Sequence, residues 1–234
     1  MTEYTQYYLA YLDLLGFKEI VKNRTCSEIV DIFEEINTQY VIGKSDLDNG
    51  ISIPVIPSEH IMYYIMSDSI CIYIRDDIEF ALPVLLGLCL GFQLRMLSFS
   101  TPVLVRGSIA HGGLYSDRRV LFGPALVEAY QREDKLARYP RIIIPKHLID
   151  DHEEKIIHTF AASGFLYMEQ DGFYVINYLA FLCGQKFREH DRDNLMQYVK
   201  DTLKRVIDPS IREKYLYLEG YLNYHMNYQE GRNT

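Results

Sequence analysis

The stretch Ile61-Met62-Tyr63-Tyr64-Ile65-Met66-Ser67-Asp68-Ser69-Ile70-Cys71-Ile72-Tyr73-Ile74 decides the fold. Two apolar runs rich in isoleucine and tyrosine flank one polar pair, Ser67-Asp68, and this pattern predicts a tight β-hairpin. Upstream, Tyr7 to Asp13 reads as a fully buried strand that stops at an acid; Leu14-Leu15-Gly16-Phe17 then turns into helix. Thr25-Cys26-Ser27-Glu28 has capping-box spacing and predicts a helix to about Tyr40, with an irregular loop over residues 43–58. Downstream the expectation is a buried helix over 79–98, then a strand Val103 to Ala110 closed by His111-Gly112-Gly113. A helix follows from Gly123-Pro124 to about Arg138, then a strand Arg141 to Ile144 and a helix near 146–160. A hairpin turns at Asp171-Gly172, and from about Lys186 two helices are separated at Asp208-Pro209. The fold class is therefore α/β (α+β): a ferredoxin-like βαββαβ core over residues 1–182 and a C-terminal helical extension over 183–234.

Composition narrows the function classes. The chain of 234 residues carries 24 Lys+Arg against 32 Asp+Glu, a net charge of 24 − 32 = −8, and 48% hydrophobic residues. That is a globular composition, and it excludes a disordered or collagen-like chain. A net negative chain lacks the cations that non-specific duplex nucleic-acid binding needs, so no nucleic-acid partner is expected. The most apolar window, Phe80 to Phe92, is shorter than the ~20 residues of a membrane span and holds Pro83 and two glycines. Met1-Thr2-Glu3-Tyr4 shows no basic-then-apolar leader, and Cys26, Cys71, Cys89 and Cys183 show no paired spacing. Buried reduced thiols and a cytoplasmic location are the expectation.

Chemistry concentrates at two acids. Asp13 ends a strand and Asp68 sits at a hairpin tip, and a ferredoxin-like sheet lets those strands lie side by side. Two carboxylates at close quarters repel unless a cation sits between them. Oxygen ligands and a polyphosphate substrate suit Mg²⁺ or Mn²⁺. The plainer reading is that Asp serves turns and caps at both positions.

At these residues a resemblance enters. Tyr11-Leu12-Asp13-Leu14-Leu15-Gly16-Phe17 resembles the first metal motif of class III nucleotidyl cyclases, and Ser67-Asp68-Ser69 resembles the second. Leu104-Val105-Arg106-Gly107-Ser108-Ile109-Ala110-His111-Gly112 is similar to the strand after their central helix. Gly123-Pro124-Ala125-Leu126-Val127-Glu128-Ala129 is similar to the Gly-initiated helix beside their active site. The resemblance spans roughly residues 7–178. The family's transition-state Asn and Arg are replaced by Val127 and Gln131, with Arg132 next, and its adenine-reading Lys by Tyr64. A bulky phenol there argues for a smaller base. With the Arg106 strand and the Ala129-Tyr130-Gln131-Arg132-Glu133 helix, this resembles the pyrimidine cyclases of the bacterial Pycsar antiphage system.

The resemblance implies conversion of UTP to cyclic UMP and pyrophosphate, with CTP as the alternative substrate and a separate cyclic-nucleotide-binding effector as reader. It implies two divalent ions, Mn²⁺ or Mg²⁺, held by Asp13, Asp68 and the Leu14 carbonyl about 3.5–4 Å apart. Backbone N–H groups at Gly16 and Phe17 would receive the triphosphate. A head-to-tail homodimer is implied, in which one protomer supplies the carboxylates while the other supplies Tyr64 and the Gly123 helix. Arg132 is a candidate phosphate clamp or a helix charge paired with Glu128 or Glu133. Arg106, on a strand, needs an anion, either an internal carboxylate or the triphosphate. Arg118 and Arg119 are candidates for base contact or a solvated loop. His111 reads as a strand-end packing residue, and Asp150 to Glu154 as a solvated helix face. The missing Gly-Gly-Asp/Glu-Glu-Phe motif counts against a diguanylate cyclase, and a catalytically inactive nucleotide-binding module remains the other class.

Overall fold

Strand β1 (Thr5–Leu15) is the spine of the sheet, hydrogen-bonded on both edges. A computed structural model describes residues 3–37, 54–117, 119–184 and 189–230 of the chain. After β1 come helices α1 (Phe17–Asn23) and α2 (Cys26–Asn37). The hairpin β2 (Met62–Met66) and β3 (Ser69–Arg75) follows, then helix α3 (Ala81–Leu97) and strand β4 (Leu104–Ser116). This is the expected βαββαβ order. Short β5 (Leu121–Phe122) pairs with β4, helix α4 (Pro124–Leu136) crosses back, and β6 (Ile142–Ile144) adds in parallel to β4. Helices α5 (His147–Asp150) and α6 (Lys155–Ala162), hairpin β7 (Leu166–Met168) and β8 (Tyr174–Ile176), and helices α7 (Tyr178–Gly184), α8 (Glu189–Arg205) and α9 (Pro209–Glu230) complete the chain. The sheet order is β2-β3-β1-β4-β6-β8-β7, a mixed α/β architecture.

Alternation along the strands gives the sheet two different faces. Ala10, Leu12 and Leu14 of β1, Ile70, Ile72 and Ile74 of β3, and Val105 and Ile109 of β4 point one way, onto the almost wholly buried α3. Leu195 and Val199 of α8 and Leu218 and Leu222 of α9 join this same core. Tyr7, Leu9, Tyr11 and Asp13 point the other way, with Ser69, Cys71 and Tyr73 of β3 and Arg106, Ser108 and Ala110 of β4. On that face α4 buries Ala125, Ala129 and Glu133, one residue per helical turn. β1 and β4 approach closely at Gly107, where a Cβ would come 2.5 Å from the Tyr11 carbonyl oxygen.

The capping box is present: the Thr25 N–H donates to Glu28 Oε2 at 2.7 Å, and the Glu28 N–H to Thr25 Oγ1 at 3.3 Å. Its expected end near Tyr40, most of the loop expected over 43–58, and Lys186 lie outside the described residues. Four local expectations need correction. β1 is not fully buried, because Tyr8, Tyr11 and Asp13 are only half-covered. β4 does not close at His111-Gly112-Gly113 but runs to Ser116, keeping register with Tyr7, Gln6 and Thr5 of β1. The glycines there give clearance, since a Cβ on Gly113 would lie 2.9 Å from Tyr4 Cβ. The helix near 146–160 breaks into α5 and α6, and Glu154 turns inward to accept the Phe80 N–H at 3.0 Å. Cys26, on the first turn of α2, is exposed, whereas the other three thiols are buried and free.

Candidate active site

The end of β1 is where the charged face begins. In the sheet register Asp13 lies between Ser69 on β3 and Arg106 on β4. Asp68 occupies the β2–β3 turn, which Ser67 closes in a left-handed conformation at φ 58°. The Leu14 N–H donates to the Asp68 carbonyl at 3.0 Å and pins the hairpin tip to the strand end that carries Asp13. The two acids are thus brought to adjoining backbone positions by one hydrogen bond.

Arg106 is held between two carboxylates. Its Nε–H donates to Asp13 Oδ2 at 2.8 Å, while Glu133 Oε1 lies 2.7 Å from the same nitrogen, off the N–H direction. The second contact is an ion pair without a hydrogen bond. Arg106 Nη1 also donates to the Ala137 carbonyl at 3.5 Å, just past α4. Glu133 is 3% exposed. Burial pushes its carboxyl up to about 7, with Arg106 pulling it down and Asp13, Asp134 and Asp68 adding to the rise. A buried glutamic acid poised near neutrality thus shares the site with Asp13.

The remaining candidates are placed as follows. Gly16 adopts φ 78°, the left-handed turn from β1 into the seven-residue α1, and the Phe17 ring packs edge-on to Phe33 at 6.0 Å. Arg132 is committed elsewhere: it pairs with Glu128 and donates to the Ile109 carbonyl at 2.8 Å and Ser108 Oγ at 3.4 Å. Its guanidinium therefore braces α4 against β4. Tyr64 stands opposite Cys71 on the same face as Asp13, half-buried against the cluster that holds Cys71 and Tyr73. Tyr11 donates or accepts a 2.7 Å bond with Ser69 Oγ, the neighbour of Asp68. Arg119 is exposed, in a turn organised by Asp117, which accepts the Arg119 N–H at 2.7 Å; Arg118 lies outside the described residues. His111 lies on the opposite face of the sheet, stacked on Tyr8 and 2.9 Å from Asp76 Oδ2, away from the two acids.

Glu133 is the site member that motif reading passes over. Its signal was available: Ala125, Ala129 and Glu133 form an i, i+4, i+8 stripe, so the side of α4 that packs the sheet ends in a carboxylate. Among the described residues no three His, Cys, Asp or Glu side chains converge as a closed metal cage. The set of two carboxylates and nearby carbonyls suits a small hard dication, which binds through one or two carboxylates together with substrate phosphates. No helix of the described residues is long and apolar enough to cross a membrane.

No protein-family model and no curated protein matches the chain. Among solved structures it is similar to the guanylate cyclase domain of RhGC from Catenaria anguillulae in complex with GTP, at 12% identity and a TM-score of 0.46, covering 75% of this chain and 98% of that one. It is also similar to the active GGEEF domain of a diguanylate cyclase from Vibrio cholerae, at 11% identity and a TM-score of 0.33, covering 57% and 74%. What the site can do chemically is set by its own side chains.

Proposed function

We propose that the chain is a nucleotide cyclase of the class III type, with its active site at the end of β1. Within that class we infer a pyrimidine nucleotide cyclase that converts UTP to 3′,5′-cyclic UMP and pyrophosphate. The observation that carries the reading is the Leu14–Asp68 backbone bond, which brings Asp68 beside Asp13 on the charged face. Asp13, Asp68 and the Leu14 carbonyl would hold Mg²⁺ or Mn²⁺, which when bound lowers the pKa of the ribose hydroxyl and neutralises phosphate charge. The chain's own groups position the reactants. Arg106 fixes the Asp13 carboxylate through its 2.8 Å bond, and Glu133 pairs with the same guanidinium nitrogen. In the reaction the 3′-oxygen bonds to the α-phosphorus, the bond to the bridging oxygen breaks, pyrophosphate leaves and the hydroxyl proton passes to water. Such a transfer depends on positioning and charge neutralisation more than on a covalent intermediate.

Tyr64 supports the pyrimidine assignment, since its ring fills space on the site's face and offers one hydroxyl. The dimer is supported by apolar side chains left exposed: Met66 at the hairpin, Val120 before β5 and Phe122 in it, and Val127 and Tyr130 on α4. In a head-to-tail pair these would be covered, and Tyr64 and α4 would face the partner's carboxylates. A cyclic pyrimidine nucleotide made here would act as a signal read by a separate effector, in keeping with a defence role.

The deciding experiment supplies Mn²⁺ and each of the four nucleoside triphosphates in turn to purified protein, with products resolved by chromatography. Cyclic UMP is the expected product. Cyclic CMP would move the assignment to a cytidylate cyclase. Tight nucleotide binding with no product from any of the four would make it an inactive binding module, a reading that the commitment of Arg132 to Glu128 and β4 favours.

A further inference from the structure

The C-terminal helix reaches the site, and the contacts are specific. Residues 137–141 leave α4 and touch both Arg106 and α9. At one end the Ala137 carbonyl accepts from Arg106. At the other, Tyr139 donates to Glu213 Oε1 at 2.8 Å and stacks flat on Tyr217, with ring centroids 4.5 Å apart and planes 3° apart. Tyr217 in turn donates to Glu169 Oε1 at 2.5 Å, the carboxylate that also pairs with Arg141. The first turns of α9 are thereby locked on both flanks of Lys214. That lysine is half-buried and within electrostatic reach of Arg106, Asp13 and Glu133. Among the described residues no hydrogen bond or ion pair engages its ammonium.

We propose that Lys214 is a substrate-phosphate contact of this site, so that the C-terminal extension forms one wall of the nucleotide pocket within the same protomer. The inference rests on the cyclase reading above and extends it to a residue outside the βαββαβ core. The charge inventory leads to it. Arg106 is divided between Asp13 and Glu133, and Arg132 is held by Glu128 and β4, so neither guanidinium is free for an incoming polyanion. Among the described residues Lys214 is a cation near the carboxylates with no hydrogen bond or ion pair of its own, and an ammonium on a flexible stem suits phosphate as a point charge. Its pKa is lowered, first by burial and then by Arg106, against the pull of Asp13, Glu133 and Asp208. A partly desolvated ammonium beside a guanidinium gains from an added anion.

The test compares wild-type protein with K214M and K214R in Mn²⁺. K214M should weaken binding of UTP and of inorganic pyrophosphate by calorimetry by about tenfold or more, the loss of one charged hydrogen bond. The KM values for UTP and CTP should rise by the same factor, because the contact is to phosphate rather than base. K214R should recover most of the affinity, and melting curves should show all three proteins folded. If K214M does not fold, K214Q carries the same comparison. Equal pyrophosphate affinity in wild type and K214M overturns the Lys214 assignment and leaves the site reading intact. Failure of the wild type to bind UTP at all overturns both.

Discussion

The two faces of one sheet, built from alternate residues of the same strands, obey different rules. Under α3 the side chains are isoleucine, leucine and valine, and cohesion there is area removed from water. Under α4 the same strands present tyrosines, two serines, Asp13 and Arg106, and the helix answers with two alanines and Glu133. A face that holds a buried glutamic acid and a half-buried aspartate gives up packing free energy for charge placement. Local departures from apolar patterning of this kind mark functional surfaces.

The sharpest way to break this contrast is at Asp13 and Asp68. Ala at either position should cut turnover by about a hundredfold or more with the melting temperature nearly retained; chromatographic product assays at wild-type rate in either variant would remove the metal assignment. One residue away, Leu12 is fully buried and points to the other face. Leu12→Ala should cost about 3 kcal/mol in urea unfolding while turnover per folded molecule stays unchanged.

Glu133 sharpens the contrast through pH. Its folded-state pKa of about 7 exceeds the ordinary 4.5, so the folded chain holds a proton that the unfolded chain has released. The stability it contributes is full below the ordinary value and is lost as pH rises through 7. Glu133→Gln should therefore flatten the decline in stability between pH 5 and pH 8, a difference of about 1–3 kcal/mol read from urea midpoints. Identical pH slopes in the two proteins would show that Glu133 ionises normally. Tyr64→Lys, on the charged face, should shift the UTP-to-ATP rate ratio by about tenfold towards ATP; an unchanged ratio means the base is read elsewhere. The smallest effect belongs to the apolar side. Thr25→Ala removes the capping box of α2 and should lower the melting temperature by about 2–4 °C, with no change in nucleotide preference.

Much of this was legible in the sequence where a signal is local. The apolar runs around Ser67-Asp68, the Thr25–Glu28 cap and the Gly123-Pro124 helix start each need only neighbouring residues to be recognised. What escaped depends on partners far along the chain. Gly112 and Gly113 look like a stop until Tyr4 and α4 are seen crowding β4. Helix α7 is apolar almost throughout, Tyr178-Leu179-Ala180-Phe181-Leu182-Cys183, and without a periodicity it gives no signal of its own. Arg106 on a strand demanded an anion, yet only the fold shows that two carboxylates of the chain itself, at positions 13 and 133, both meet it.

Gly107 carries no chemistry, yet the chemistry depends on it. Its missing side chain lets β4 slide against the Tyr11 carbonyl, one ladder step from the Asp13–Arg106 pair. A single methyl there would wedge the strands apart and lengthen the 2.8 Å contact that aims the aspartate. The fit of the charged corner around Asp13 is thus set by a hydrogen atom, a mechanical tolerance rather than a functional group.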